Sequence, residues 1–128
     1  MSRRRDESGA AVVDFVLVMV VLVPLVLGII QVGLVLHVRN TLTAAASDGA
    51  RYGASLDQAP EDGAQRTRDL IDDAISGDYA EDVTAGATEV DGLAGVEVRV
   101  HAEVPALGLF GPAVSLDIEG HAVDEVLP

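Results

Sequence analysis

The chain has 128 residues, a net charge of −13 and no cysteine, and its eight basic side chains are all arginine. The length allows at most one domain with an appendage, the negative charge argues against non-specific binding of nucleic acid, and the absence of cysteine excludes disulfides, cysteine-ligated zinc and thiol catalysis. Because 49% of the residues are hydrophobic in spite of this charge, we expect the apolar and the acidic residues to lie in different parts of the chain.

The N-terminal part of the sequence combines a basic leader with a long apolar run. Residues 1–9 include three consecutive arginines, Arg3 to Arg5, and the 22 residues from Phe15 to Leu36 carry no charge. A helix of that length covers about 33 Å, which is enough to cross a hydrocarbon core of about 30 Å. We therefore predict a cytoplasmic leader over residues 1–9 and a transmembrane helix over residues 10–36.

The charges on the two sides of this run predict its orientation. The arginines precede it, and residues 37–128 carry five arginines and eighteen acids. Because positively charged flanks stay in the cytoplasm, we predict a cytoplasmic N-terminus and an extracytoplasmic segment over residues 37–128. A cleaved secretory signal is the alternative, but its apolar region would span about 7–15 residues and end at a small-x-small site, which does not fit.

A single acid, Asp14, stands at the start of the apolar run. The simplest interpretation is a carboxylate that interacts with the helix dipole in a first turn. A cut between Gly9 and Ala10, however, would place Asp14 about one helical turn from the new α-amino group. The leader, the glycine and the acid together resemble the class III prepilin signal. This resemblance implies cleavage after Gly9 by a membrane-embedded prepilin peptidase, and pairing of Asp14 with the terminal amine of a neighbouring subunit during assembly.

Further motifs extend this resemblance. In chain order they are Gly28-Ile29-Ile30-Gln31-Val32-Gly33, Val38-Arg39-Asn40-Thr41-Leu42, Ala44-Ala45-Ala46 and Gly49-Ala50-Arg51-Tyr52-Gly53-Ala54. Over residues 9–54 the chain resembles the TadE-like family of tight-adherence (Flp-type) pilus assembly proteins. Two positions depart from the family pattern: Gln31 stands where an acid is frequent, and Pro24 lies later in the span than is usual. The lysine-free composition also suggests a GC-rich genome of the actinobacterial kind.

Beyond the membrane the helix is predicted to continue as a stem, so that one nearly continuous helix runs from Ala10 to Leu56. Apolar and small residues recur along the stem at heptad-like spacings: Val38, Leu42, Ala45, Gly49, Tyr52 and Leu56. Either the chain's own sheet or a partner pilin could cover this stripe. Small residues that allow the close approach of another helix are the candidate helix-packing sites: Gly28, Gly33, Ala45, Gly49 and Gly53.

A second, shorter helix is predicted in the external segment. Pro60 and two acids mark its start after Ala59, and Gly77 is a natural stop. One apolar face is predicted for it: Ala64, Thr67, Ile71, Ala74 and Ile75. Two exposed ion pairs at a spacing of four are also predicted: Asp62 with Arg66, and Arg68 with Asp72.

The remaining sequence changes to the alternating period of strands. Residues 96–104 and 114–122 alternate clearly between apolar and polar side chains, and residues 82–90 are a weaker candidate that the turn signal Asp91-Gly92 joins to the next strand. We therefore predict an α+β, pilin-like fold. It consists of the long transmembrane helix with its external stem, a short second helix and an antiparallel sheet of about three strands.

Histidines and acids alternate along the last two predicted strands. If the strands pair as a hairpin, one register opposes His101 with Asp117 and His121 with Glu97. Cross-strand ion pairs are the simple interpretation, and a metal site is the alternative, although the spacing suggests no third ligand. We therefore predict no metal and no cofactor. The loop over residues 105–112 carries three large apolar side chains that either cap the small core or form an exposed contact.

The sequence contains no enzyme signature, neither a nucleophile elbow, a zinc-binding His-Glu-x-x-His nor a phosphate-binding loop. We expect a non-enzymatic minor pilin or pseudopilin, anchored in the cytoplasmic membrane by a single span and associated with a Flp-type pilus. Its expected partners are other pilins of the same system, the prepilin peptidase and the lipid bilayer, with no nucleic acid and no small-molecule substrate. The alternatives are an uncleaved single-pass protein with an external binding or scaffolding domain, and an anchored envelope enzyme.

Overall fold

The first helix, α1, is a single rod from Ser2 to Gly53 in the computed structural model, which describes residues 2–106 and 113–126. Its 52 residues correspond to about 78 Å at the standard rise, and Pro24 lies inside it. The helix ends before the predicted Leu56 because the chain must reverse to bring the second helix against it. Asp57 makes this reversal with a φ of 65°.

The second helix, α2, spans Pro60–Ala74. Proline occupies its first turn, and the Asp62 carboxylate accepts a hydrogen bond of 2.8 Å from the Ala59 backbone N–H, which caps the helix start as its sequence predicts. The predicted apolar face packs inward through Ala64, Thr67 and Ile71, whereas Ala74 is exposed.

The arginines of α2 have partners other than the predicted ones. Arg66 pairs with Asp48 of α1 at 3.3 Å. Arg68 pairs with Glu61 at 3.3 Å and donates a 2.8 Å hydrogen bond to the Val83 carbonyl. Arg66 thus pairs across the fold with α1, whereas Arg68 keeps an ion pair within α2 and reaches Val83 through a hydrogen bond.

A short 3-10 turn over Gly77–Ala80 leads into an antiparallel sheet of three strands in the order β1-β2-β3. The strands are β1 (Asp82–Val90), β2 (Leu93–Val104) and β3 (Val114–Val123). Asp91 and Gly92 connect the first two strands with φ values of 52° and 82°, as a two-residue hairpin turn requires. The α+β prediction is therefore confirmed, and β2 begins three residues earlier than its alternation indicates.

The core lies between the stem part of α1, α2 and one face of the sheet. Its largest fully buried side chains come from all three layers: Val38, Leu42, Ile71, Val96, Val98, Val100 and Val104. The chain's own domain thus covers most of the predicted stem stripe, while its distal members Tyr52 and Leu56 are exposed. Residues 107–112 of the apolar loop lie outside the described residues, so its predicted role as a core cap stays a prediction.

Candidate functional site

The membrane-facing candidate is residues 9–33 of α1, a bare segment in which no residue is buried. The segment is long and apolar enough to cross a membrane, and none of its most apolar window is buried. Large side chains such as Phe15, Val21 and Ile29 are between 62% and 69% exposed. An apolar surface of this extent on a helix requires a partner such as lipid or other helices, so the helix is a candidate membrane anchor.

The predicted processing residues lie together at the start of this bare segment. Gly9, Ala10 and Asp14 are all helical and exposed, and no described atom lies within 4 Å of a Cβ placed on Gly9. Ala10 and Asp14 are four residues apart, so they lie on the same face of the helix. The glycine also weakens the helix locally, because it lacks a side chain and has greater conformational freedom in the unfolded chain.

The five candidate helix-packing residues divide into two groups. Ala45, Gly49 and Gly53 face α2 of the same chain: a Cβ on Gly49 would lie 2.6 Å from the carbonyl oxygen of Gly63, and a Cβ on Gly53 would lie 3.2 Å from the Gly63 Cα.

In the bare segment the situation differs. No described atom lies within 4 Å of a Cβ placed on Gly28 or on Gly33. The two glycines are five residues apart, which places them about 140° from each other around the helix axis. They therefore do not form one packing face, and each is open on its own side of the helix.

A contact that the sequence did not predict joins the bare segment to the sheet. The side-chain amide Nε2 of Gln31 donates a 3.2 Å hydrogen bond to the carbonyl oxygen of Pro105, directly after β2. Leu34 and Val35, one turn further along α1, are half-buried and pack against the core. The sequence did contain one sign of this contact: Gln31 is a lone side-chain amide in an apolar run, and such a group requires a polar partner.

The outer face of the sheet carries the predicted histidine–acid pairs in the predicted register, His101 opposite Asp117 and His121 opposite Glu97. His101 Nδ1 lies 2.6 Å from Asp117 Oδ1, and His121 Nε2 lies 3.1 Å from Glu97 Oε2. The hydrogen bond to Asp117 raises the pKa of His101. A hydrogen bond from Arg99 is the largest cause that lowers the pKa of Glu97; burial opposes it, and a weaker contribution from the hydrogen bond to His121 lowers the pKa further. Both pairs are hydrogen-bonded contacts on the outer face of the sheet.

A third group beside one of these pairs bears on the metal alternative. Glu97, Glu119 and His121 each offer one ligand atom, and these atoms lie within 4.8 Å of one another, so Glu119 is a third potential ligand that the spacing did not reveal. Arg99, however, hydrogen-bonds Glu97 and lies 3.5 Å from Glu119. Because the Arg99 guanidinium already pairs with the carboxylates of Glu97 and Glu119, we interpret the cluster as an ion-pair network.

An apolar groove of the described domain lies between the stem and α2. It has a volume of about 490 Å³, and Ala44, Leu70 and Ala74 contribute to its lining. Asp48 is the one ionisable side chain among its lining residues, and this carboxylate already pairs with Arg66.

The family comparison singles out the long helix. Residues 9–51 match the family model of TadE-like proteins, and the resemblance that the motifs indicate is thereby confirmed over the apolar segment and most of the stem. The match implies a protein related to Tad (Flp) pili. No curated protein and no solved structure matches the chain.

Proposed function

We propose that this TadE-like chain is a minor pilin or pseudopilin of a tight-adherence (Flp-type) pilus assembly system, and that it acts through contacts with other pilins. One observation carries the proposal: the family match over residues 9–51 includes the whole apolar segment that the rest of the chain leaves bare. A family-defining segment of which the most apolar window is left unburied is suited to an external partner.

The anchor lies in the cytoplasmic membrane with its N-terminus inside. The arginines of the leader favour this orientation, and the acidic segment over residues 37–128 follows on the outside. The anchor and the stem are parts of the one helix α1, and the stem packs against α2 through Gly49 and Gly63. The external domain is therefore attached to the anchor by continuous helix. Movement of the anchor within an assembly is therefore transmitted to the domain.

A prepilin peptidase cuts the chain between Gly9 and Ala10. The exposed position of this bond on α1 and the helix-weakening glycine beside it support access by the peptidase. Cleavage would create an α-amino group one turn from Asp14 on the same face. A carboxylate near the hydrocarbon is unfavourable unless it is paired, so Asp14 favours contact with such an amine, including that of a neighbouring subunit.

The open glycines of the anchor serve lateral contacts between subunits. Small residues let helix backbones approach closely within a membrane, and no described atom lies within 4 Å of a Cβ on either Gly28 or Gly33. Because the two positions point in different directions around the helix, they suit two different neighbouring helices.

The experiment that tests this function is intact-mass measurement of the chain, extracted from membranes of cells that contain an active prepilin peptidase. We expect a mass that lacks Met1–Gly9, and a full-length mass for Gly9→Val. Gly86→Val is the matched control, because a Cβ at Gly86 meets no described atom within 4 Å, and it should be cleaved normally. A wild-type chain that keeps its leader while a reference prepilin is cut would contradict the processing and favour an uncleaved scaffold.

A further inference from the structure

The contact between Gln31 and Pro105 places one end of the sheet close to the membrane. This inference rests on the proposed function, in which α1 crosses the bilayer. A hydrocarbon core of about 30 Å corresponds to about 20 helical residues, and counted from Phe15, directly after the charged Asp14, it ends near Leu34. Gln31 then lies about 4.5 Å inside the hydrocarbon boundary, and the Pro105 carbonyl oxygen is 3.2 Å from its amide nitrogen.

The chemistry of this contact fits that depth. An amide and a carbonyl that enter an apolar medium without partners are unfavourable, and here the Gln31 Nε2 donates to the Pro105 carbonyl oxygen. Leu34 and Val35 pack against the core immediately beyond it. The lower end of the domain, which we define as the end of the sheet at Pro105, therefore rests against the helix at the level of the outer leaflet.

Charge is distributed unequally between the two ends of the domain. The 13 residues from Val104 to Leu116 include no charged side chain, although residues 37–128 contain eighteen acids. Pro105, Ala113 and Val114 are exposed at this lower end. Acids occupy the opposite end, beside the β1–β2 turn and the last residues of the described chain: Asp57, Asp91, Asp124 and Glu125. The nearest acids in the sequence, Glu103 and Asp117, are exposed on the outer face of the sheet, so the uncharged stretch between them is the part of this end that suits an apolar environment.

We propose that the lower end of the domain, formed by Pro105, Ala106, Ala113 and Val114, contacts the outer leaflet of the phospholipid bilayer. It continues the apolar surface of the anchor onto the sheet. The protein then has two attachments to the membrane, the spanning helix and the end of the sheet, and the hydrogen bond between Gln31 and Pro105 links them. Two attachments restrict the tilt of the domain, so its acidic end points away from the membrane.

The absence of cysteine from the chain allows a direct test of depth. The full chain is reconstituted at low protein density into phosphatidylcholine vesicles, with a fluorophore on a single introduced cysteine. Ala113→Cys reports on the lower end, Leu93→Cys is the matched exposed position at the acidic end, and Leu22→Cys reports on the anchor. Nitroxides on the lipid chains serve as quenchers, and iodide quenches from the water.

We expect lipid-chain quenching at Ala113→Cys to exceed that at Leu93→Cys several-fold, with the opposite order for iodide. If Leu22→Cys is quenched by lipid while the other two positions respond alike, the anchor stands and the inference fails. If Leu22→Cys is not quenched by lipid, both membrane proposals fail. Iodide protection of Ala113→Cys that appears only at high protein density, without lipid-chain quenching at low density, would assign this end to a second copy of the chain and overturn the inference.

Discussion

Individual small residues determine how closely α1 and α2 approach. A Cβ on Gly63 would lie 2.5 Å from the carbonyl oxygen of Gly49, and a Cβ on Gly49 would also meet the Thr67 side chain. The Thr67 hydroxyl is fully buried and lies 2.9 Å from the Gly63 carbonyl oxygen and 3.3 Å from that of Ala45. Backbone, hydroxyl and the missing side chains thus form one close contact between the helices.

Gly49→Ala should destabilise the external domain. The added methyl group would meet backbone atoms of α2, which cannot move without shifting the helix, and overpacking of this kind typically costs about 1–3 kcal/mol. Thermal unfolding of the full chain in detergent, followed by circular dichroism, measures the loss. Gly86→Ala is the control, because its added Cβ meets no described atom within 4 Å. Equal midpoints for the two variants would contradict the close contact.

Asp14→Ala should leave cleavage after Gly9 largely intact and reduce pilus assembly, because the substitution removes the carboxylate that we propose pairs with a terminal amine. Asp14→Glu keeps the charge and should restore assembly, while Asp6→Ala changes an acid that cleavage would remove and should have no effect. The readouts are intact mass and the amount of sheared pili. Full piliation with Asp14→Ala would exclude the assembly role of this residue.

The His101–Asp117 contact should stabilise the domain more at low pH than at high pH. Asp117, with smaller contributions from Asp82 and Glu103, raises the pKa of His101 above its ordinary value of 6.5 in the folded chain. The folded state therefore binds the proton more tightly than the unfolded state. The resulting stabilisation is fully present below the ordinary pKa and is lost as pH rises through the folded pKa.

An NMR titration of the histidine ring protons measures this effect. Asp117→Asn should lower the pKa of His101, and its destabilisation should be larger at mildly acidic than at mildly alkaline pH. Asp73→Asn, an exposed substitution on α2, should change neither quantity. An unchanged His101 pKa in Asp117→Asn would mean that the pair does not persist in solution.

At the scale of the elements, local patterns predicted much of the fold. Alternation and the Asp91-Gly92 turn indicated all three strands, and the observed pairing of His101 with Asp117 is one register that a hairpin of the last two strands allows, because a one-sided core restricts strand pairing. The arginine partners could not be predicted in the same way. Arg66 selects Asp48 on another element, and such contacts depend on how the elements pack.

The candidate site shows the same division between local and non-local signals. The apolar run and the spacing of Gly9, Ala10 and Asp14 are local patterns, so the sequence was sufficient to select them. The contact of Gln31 with Pro105 spans 74 positions in the chain, and no pattern near either residue specifies the other. The covering of the stem glycines by α2 was likewise open until the packing of the two helices was known.

The orientation of α1 should depend on its leader. Replacement of Arg3, Arg4 and Arg5 by uncharged glutamine removes the positive flank and should increase the fraction of chains with the opposite topology. Glutamine at Arg51 leaves the leader unchanged and is the control. A reporter fused at each end, active on only one side of the membrane, measures the fraction. Unchanged cytoplasmic placement of the N-terminus would show that the leader charges do not orient this helix.

At the scale of the whole molecule, the charge of −13 and the long apolar run lie in different parts of the chain. The apolar run is in the anchor half of α1, and most of the acids are in the stem and the attached domain. Every buried hydrophobic residue identified in the described chain lies at Val38 or beyond, whereas the most apolar window of α1 has no buried residue. The anchor therefore contributes nothing to the core apart from the partly buried Leu34 and Val35 at its end. Folding of the domain and insertion of the anchor are separable on this basis.

A fragment that begins at Leu34 should therefore fold in water without detergent, because it keeps the complete core and leaves out most of the exposed apolar surface. A fragment that begins at Thr43 lacks Val38 and Leu42, which are both about fully buried; burial of each such side chain stabilises by about 1.5–3 kcal/mol. Circular dichroism and thermal unfolding compare the two, and the longer fragment should unfold cooperatively at the higher temperature. Equal unfolding midpoints would contradict the stem's contribution to the core. Failure of the longer fragment to fold would show that the domain requires the anchor.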